Sequence, residues 1–476
     1  MNYLQPYMAA SADQTVLSAW DTQVAHAPEA PWLDRLLIER GSEIFAEFSA
    51  RYNELRALPR SARRALQRSL ARSRELTTVP AEWRRKLAYT LAGAALLLAL
   101  GGAAQAATIN VTAKTPPGIS PGDGKCSLAE AIIAANTDAP YDYCSTGFGP
   151  DTIVLPIGSQ AITSSFGFYY GGNTGLPLIT SNITIEGNGA KVSRKSKAAF
   201  RLMAVGATGN LTLNNVSVSK GLLTTYGAAI HNAGYLTIND SIITGNISGK
   251  GAISNSRYLT ISSSTLSKNT ASSYGGAIYN LGTIPGYYGS LILNSSTITG
   301  NKAAAGGGIF SAGYYADVFI NSSIFSKNTA SIGGAIANDN GYMKIDPTTI
   351  TGNKASVGGG AVNLYGTLFI NYSTISKNSA GVGGGVVNLD GTLKVLDSSV
   401  ITGNKASSSG GGVANCGYFR LADSSITLNS AKLAGGGLLN FNDSTPPYTC
   451  YYTFTYTNST ITGNKAKYGP DRFDSP

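Results

Sequence analysis

Residues 366–388 read Gly366-Thr-Leu-Phe-Ile-Asn-Tyr-Ser-Thr-Ile-Ser-Lys-Asn-Ser-Ala-Gly-Val-Gly-Gly-Gly-Val-Val-Asn388. Three short runs alternate apolar and polar residues: Leu368 and Ile370, then Ile375, then Val386 to Asn388. Each run is too short for a helix and is bounded by Gly, Asn and Ser, so each reads as a β-strand. The same text recurs through the second half of the chain. Asn378 stands in a row with Asn246, Asn269, Asn301, Asn328, Asn353, Asn404, Asn429 and Asn464, at steps of 23 to 35 residues. A period in this range marks a repeat architecture. Three strands and three turns in about 25 residues make one coil of a parallel β-helix, stacked on the next at about 4.8 Å. Ile, Leu and Val then face the interior, and polar residues face solvent.

A second row follows the glycines: Asn232, Asn255, Asn280, Asn338, Asn363, Asn388, Asn415 and Asn440, with Ser311 in one coil. Stacked Asn side chains hydrogen-bond along the axis and satisfy turn backbone, which makes both rows structural ladders before they are ligand sets. The coils also alternate in kind. Asn246, Asn301, Asn353, Asn404 and Asn464 sit in Thr-Gly-Asn; Asn269, Asn328 and Asn378 sit in Ser-Lys-Asn; Asn429 sits in Thr-Leu-Asn. The unit is therefore two coils, about 51 residues. Lysine follows the alternation: Lys268, Lys327 and Lys377 precede their Asn, while Lys302, Lys354, Lys405 and Lys465 follow theirs. In register, these lysines form one basic stripe. It reads as a solvated edge whose charge blocks sheet aggregation, or as a polyanion-binding track through Lys268, Lys302, Lys327, Lys354, Lys377 and Lys405.

Of 476 residues, 57 are Gly, 13% are charged and 9% are aromatic, too many aromatics for a disordered chain. The net charge is +10, and residues 107–476 carry 23 basic and 16 acidic residues, a net +7 that favours acidic glycans or anionic surfaces as partners. Arg84, Arg85 and Lys86 precede an apolar run, Leu87 to Leu100, and Ala104-Gln105-Ala106 ends it. This is the pattern of a secretory signal peptide over residues 84–106, cleaved between Ala106 and Ala107. The expected location is thus outside the cell or at its surface, and nucleic acid is not an expected partner. Residues 1–83 form a charged extension with Leu36, Leu37, Ile44, Phe45, Phe48, Leu55, Leu66 and Leu70 at helix-like spacing. Such a prefix points to a misassigned start or a cytoplasmic extension. All four cysteines lie after the cleavage site, as an oxidising compartment allows. Of their three connectivities, neighbour pairing is expected: Cys126 with Cys144 in a cap, and Cys416 with Cys450 across the insertion Phe441 to Phe454. The spacings match no common zinc motif and the chain has two His, so neither metal nor cofactor is expected.

Residues 126–136, Cys-Ser-Leu-Ala-Glu-Ala-Ile-Ile-Ala-Ala-Asn, resemble the N-terminal module of bacterial exported proteins named for Cys-Ser-Leu-Arg-Glu-Ala. The setting matches too: a Thr-Ile-x-Val strand at Thr108 to Val111, Gly122-Asp-Gly124 before the Cys, and a second Cys 18 residues on. Ala129 stands where that family has Arg. Leu128, Ile132 and Ile133 give a short amphipathic helix suited to capping a solenoid end. The repeats resemble those of polymorphic outer membrane proteins, built on Gly-Gly-Ala-Ile and Phe-x-x-Asn: Gly275 to Ile278, Gly333 to Ile336, and Phe325 to Asn328. Together these resemblances imply an all-β, right-handed parallel β-helix of the pectin-lyase-like class. The implied organisation is a cap at residues 107–150, coils over 151–467 and a tail at 468–476.

Three functions remain open, because this fold hosts enzymes and adhesins alike. The repeat resemblance implies an exported, adhesin-like, non-catalytic protein binding host or cell-surface glycans or proteins. After Asn464 only a dozen residues follow, so no membrane barrel is expected. Fold analogy implies a pectate lyase-like lyase, with Ca²⁺ held by carboxylates, or a hydrolase with paired acids. Against both, the repeat acids stand singly: Asp240, Asp397 and Asp423 share one turn phase, and Asn338-Asp339-Asn340 reads as turn chemistry. His231 reads as a substituted turn position. The third reading is a carbohydrate-binding rod using the lysines and Tyr287, Tyr288, Tyr314, Tyr315, Tyr451 and Tyr452. No residue is assigned as catalytic or metal-binding.

Overall fold

The computed structural model describes residues 87–100, 107–112, 123–147, 149–283, 288–442 and 450–475, with short pieces before residue 69. The chain divides into two compact units, Met1–Gln105 and Ala106–Pro476. In the first, Leu91–Leu100 is helical, and no described helix is long and apolar enough to cross a membrane. Arg84 to Lys86, Ala106 and most of the extension lie outside the described residues.

The second unit is a parallel β-solenoid of about ten turns. One coil shows how the sequence writes it. Ile336–Asp339 and Tyr342–Asp346 belong to a 22-stranded parallel sheet, the first face. Thr349–Thr351 belongs to a 12-stranded sheet, the second face. Lys354 and Val357 make single parallel bridges to Thr329 and Ile332, and form the third face. The first face is longer than two separate short strands: Val386–Leu396 crosses its bend as one strand of 11 residues. Register is kept from coil to coil, Ile336 to Ala361 to Val386 to Val413 and Ile345 to Ile370 to Val395 to Leu421. A one-residue slip would turn every apolar side chain outward. The interior is one continuous apolar column from Ile109 to Leu438.

Both asparagine rows are hydrogen-bonded ladders, the first in the turns between strands and the second at the strand ends beside the bend of the first face. In the second row, the Asn338 amide donates to Gly341 O at 2.8 Å and to Asn363 Oδ1 at 2.9 Å, and Asn363 repeats this onto Gly366 and Asn388. The bend of the first face therefore carries no orphaned turn carbonyl at these positions.

Helix Leu128–Thr137 caps the N-terminal end. Ser127 and Glu130 close a capping box, and Leu128, Ile132 and Ala135 are buried. Asn136 ties the helix to the chain that enters the next coil: Oδ1 accepts from Thr180 N at 2.9 Å and Nδ2 donates to Leu178 O at 2.7 Å. Cys126–Cys144 and Cys416–Cys450 are both disulfides, as neighbour pairing predicted. Cys416 lies beside Leu389 on the first face, so the second bridge staples the insertion against that face.

Candidate functional site: an aromatic cleft at the first coils

The titratable groups displaced furthest from their ordinary pKa values gather at one place. The segment before the regular repeats folds out as an antiparallel hairpin, Gly167–Tyr169 with Gly172–Thr174. Its tip lies over Arg201 and His231. Arg201 is fully buried; its Nη2 donates to Tyr170 O at 3.2 Å, while Nε and Nη1 have no partner. The Tyr170 ring lies 4.6 Å from the His231 ring, and Thr225 Oγ1 donates to Gly171 O at 3.3 Å. His231 Nδ1 and, nearby along the third face, Ser248 Oγ are also buried without a partner.

The aromatic cluster continues along the axis, where Tyr279 and Phe310 are packed in a buried apolar cluster with Ala305 and Ala337. Register places Lys250 between Tyr226 and Tyr274. Its ammonium lies 5.0 Å from the Tyr226 ring centre and 5.4 Å from those of Tyr274 and Tyr279, an arrangement in which ring faces stabilise a cation. Phe310 closes the row, 4.5 Å from Tyr274. Burial pushes Arg201 down to about 10, and burial followed by the nearby Arg201 charge pushes His231 down to about 3. Burial raises the Tyr279 phenol to about 12. At neutral pH Arg201 is therefore charged and His231 neutral. Perturbed groups in a cleft are a signature of functional sites.

The His231 displacement carries a pH prediction. Between pH 6.5 and 3 the unfolded chain binds a proton that the folded imidazole refuses, so stability rises with pH across that window. Tyr170 and Arg201 are the titratable groups that face the ring. Calorimetry of wild type and His231→Asn from pH 7 to 4 is expected to show about 3 kcal/mol more loss in wild type. Parallel curves would contradict the buried neutral imidazole.

His231 itself corrects the sequence reading. It lies within strand Ile230–Asn232, not in a turn, paired between Ala204 and Ser254. Asp240, Asp397 and Asp423 do take turn positions, each with φ near 50°. Asp339 accepts from Asn340 at 3.0 Å, and burial raises its carboxyl.

The six predicted lysines are all exposed and fall in two columns flanking the first Asn row. Lys302, Lys354 and Lys405 recur in every second coil, separated by Thr329 and Ser379. Lys268, Lys327 and Lys377 share a left-handed conformation, φ 54° to 56°, that Gly300, Gly352 and Gly403 take in the coils between. Among the predicted tyrosines, Tyr288, Tyr314, Tyr315 and Tyr451 are exposed, with Tyr288 edge-on to Tyr315 at 5.6 Å; Tyr287 lies outside the described residues. Tyr451 helps line an open recess of about 330 Å³ with Tyr365, Asp390 and Tyr418.

A further column, unnoticed in the sequence, runs up the outer side of the first face. Register aligns Ile292, Phe319, Lys344, Phe369, Lys394 and Arg420 in consecutive coils. The Lys394 ammonium lies 4.8 Å from the Phe369 ring centre, and Lys344 pairs with Asp346 at 2.7 Å. Every member is the central outward residue of an alternating run, so the signal was present in the spacing.

Residues 263–281 match the family model of the Chlamydia polymorphic membrane protein repeat. The matched stretch contains one position of each ladder, Asn269 and Asn280, with the Gly-Gly turn between them. The chain matches no curated protein. Over this stretch the chain is similar to a repeat of Chlamydia polymorphic membrane proteins, and the stretch lies within the parallel solenoid.

Proposed function

We propose that the protein is an exported, non-catalytic solenoid that attaches to acidic glycans at a cell surface. The observation that carries this reading is the column Phe319, Lys344, Phe369, Lys394 and Arg420 on a flat outer face. From Phe319 to Lys394 rings and cations alternate, so each kind recurs every two coils, about 10 Å apart, and Arg420 adds a further cation one coil beyond Lys394. That spacing suits an extended polysaccharide: rings stack on sugar faces, and cations meet carboxylates. The repeat match, with its link to surface proteins, supports the location. Asp240 stands alone at its turn, while Asp397 and Asp423 stack at one turn position of adjacent coils, all three in the left-handed conformation that Asp tolerates at turns.

Retention on immobilised polygalacturonate tests the reading. The double variant Lys394→Glu/Arg420→Glu is expected to weaken retention at least tenfold while leaving Tm within about 2 °C, because both side chains are solvent-accessible. Lys302→Glu/Lys354→Glu/Lys405→Glu is the companion variant for the stripe at the Asn turn. Retention unchanged in both variants would sink the reading.

A further inference from the structure

We propose that the cluster of Tyr170, Arg201, Tyr226, His231, Ser248 and Lys250 beneath the hairpin tip is a binding site for a carboxylated sugar, whose carboxylate seats against Arg201. The site is distinct from the outer column, and only its sugar chemistry rests on the attachment reading above.

A buried guanidinium without a carboxylate partner is costly, because desolvation is not offset by a paired charge. Arg201 is in that condition: one nitrogen reaches a backbone carbonyl, two reach nothing, and no described acid forms an ion pair with it. A carboxylate supplies what is missing, and charge-assisted hydrogen bonds to Arg are the strong kind. The partnerless atoms around it select further. Guanidinium N–H groups donate and do not bind a cation. Neutral His231 Nδ1 and Ser248 Oγ suit hydroxyl groups. Tyr170 and Tyr226 are 40% and 36% exposed, so each offers part of a ring face for sugar stacking. Lys250 adds a second cation beside Tyr226, where a further acidic unit would lie.

The hairpin over the site has the form of a flap. Its two strands pair with each other, and its inner strand is fixed to the coil where Arg201 N donates to Asn173 O at 2.9 Å and Gly175 N donates to Arg201 O at 2.7 Å, which leaves the tip beyond them as the part that can lift. Its tip is held by Arg201 Nη2 to Tyr170 O, Thr225 Oγ1 to Gly171 O, and the Tyr170–His231 ring contact. These contacts exchange for ligand contacts without disturbing a coil.

Isothermal titration of the purified protein with galacturonate, glucuronate, galactose and inorganic phosphate tests the proposal. Uronates are expected to bind at least tenfold more tightly than galactose and more tightly than phosphate. Arg201→Met is expected to weaken uronate binding at least tenfold and to raise the unliganded Tm by a few degrees, because it removes a buried unpaired charge. A strut would behave oppositely. Loss of Tm in Arg201→Met, with no uronate binding by wild type, would overturn the site. Phosphate bound as tightly as uronate would overturn the sugar assignment. Tyr170→Ala, which keeps the charge, is expected to weaken uronate at least fivefold and serves if Arg201→Met does not fold. An unchanged affinity there would also count against the site. Lys394→Glu/Arg420→Glu should leave monosaccharide titration unchanged. Wild type that binds uronate but is not retained by polygalacturonate contradicts the outer face alone, and wild type that is retained by the polymer without binding uronate contradicts the cleft alone.

Discussion

Asn353→Ala is expected to destabilise the solenoid by about 4 kcal/mol, measured by chemical denaturation. The side chain serves three coils at once. Its Oδ1 accepts from Asn328 N at 2.9 Å and Asn328 Nδ2 at 3.0 Å. Its Nδ2 donates to Phe325 O at 3.0 Å, Thr351 O at 3.2 Å and Asn378 Oδ1 at 3.0 Å. Alanine leaves the Asn328 N–H buried without a partner and strips one hydrogen bond each from the Phe325 and Thr351 carbonyls and from Asn378 Oδ1. Each such orphan costs about 1–3 kcal/mol, more than the bond itself contributes. Neighbouring Lys354→Ala, on an exposed site of the same turn, should change stability by less than about 0.5 kcal/mol. A cost near zero for Asn353→Ala would mean that backbone pairing alone holds the turns.

Gly359→Ala is expected to cost at least about 3 kcal/mol, for a different reason. A Cβ there would lie 2.3 Å from Gly384 O and 2.8 Å from Ser379 N and O, all backbone of the next coil. The same collision recurs in the column: Gly334 against Gly359 O at 2.2 Å, and Gly384 against Gly411 O at 2.4 Å. Coil spacing is fixed by the ladders at about 4.8 Å, so relief requires prying coils apart. Gly352→Ala is the contrast. Its φ of 65° is unfavourable, but no atom lies within 4 Å of a Cβ, and Lys327 and Lys377 take that place in adjacent coils. Its cost should be about 1 kcal/mol. Thermal unfolding of the pair separates the two causes; equal losses would refute the steric account.

These two positions show why the solenoid was legible in the sequence. A ladder needs one residue type at one position in every coil, so its requirement is written many times over. Asn at the turns, Gly at the close approach and Ile, Leu or Val inside are each repeated, and the period follows. The alternation of Thr-Gly-Asn with Ser-Lys-Asn also finds its reason: Gly and Lys fill the same left-handed position. The cleft was not legible because it is written once. Tyr170 and Arg201 come from the irregular segment ahead of the repeats, and only the folded hairpin brings them to His231. The trace left in the sequence was His231 itself. It precedes its ladder Asn where the following coils carry Ser254, Tyr279, Phe310, Ala337 and Val362. Reading it as a turn missed the strand, because a three-residue run between glycines and alanines has no alternation long enough to show its period.

Whether a glycan held by this protein keeps its chain length separates attachment from catalysis most directly. Polygalacturonate incubated with the purified protein, with and without Ca²⁺, would be followed by size-exclusion chromatography and mass spectrometry over time. The prediction is that the polymer co-elutes with the protein and keeps its chain length under both conditions. Shortened chains, above all chains with the unsaturated ends that a Ca²⁺-dependent lyase leaves, would contradict a non-catalytic attachment solenoid.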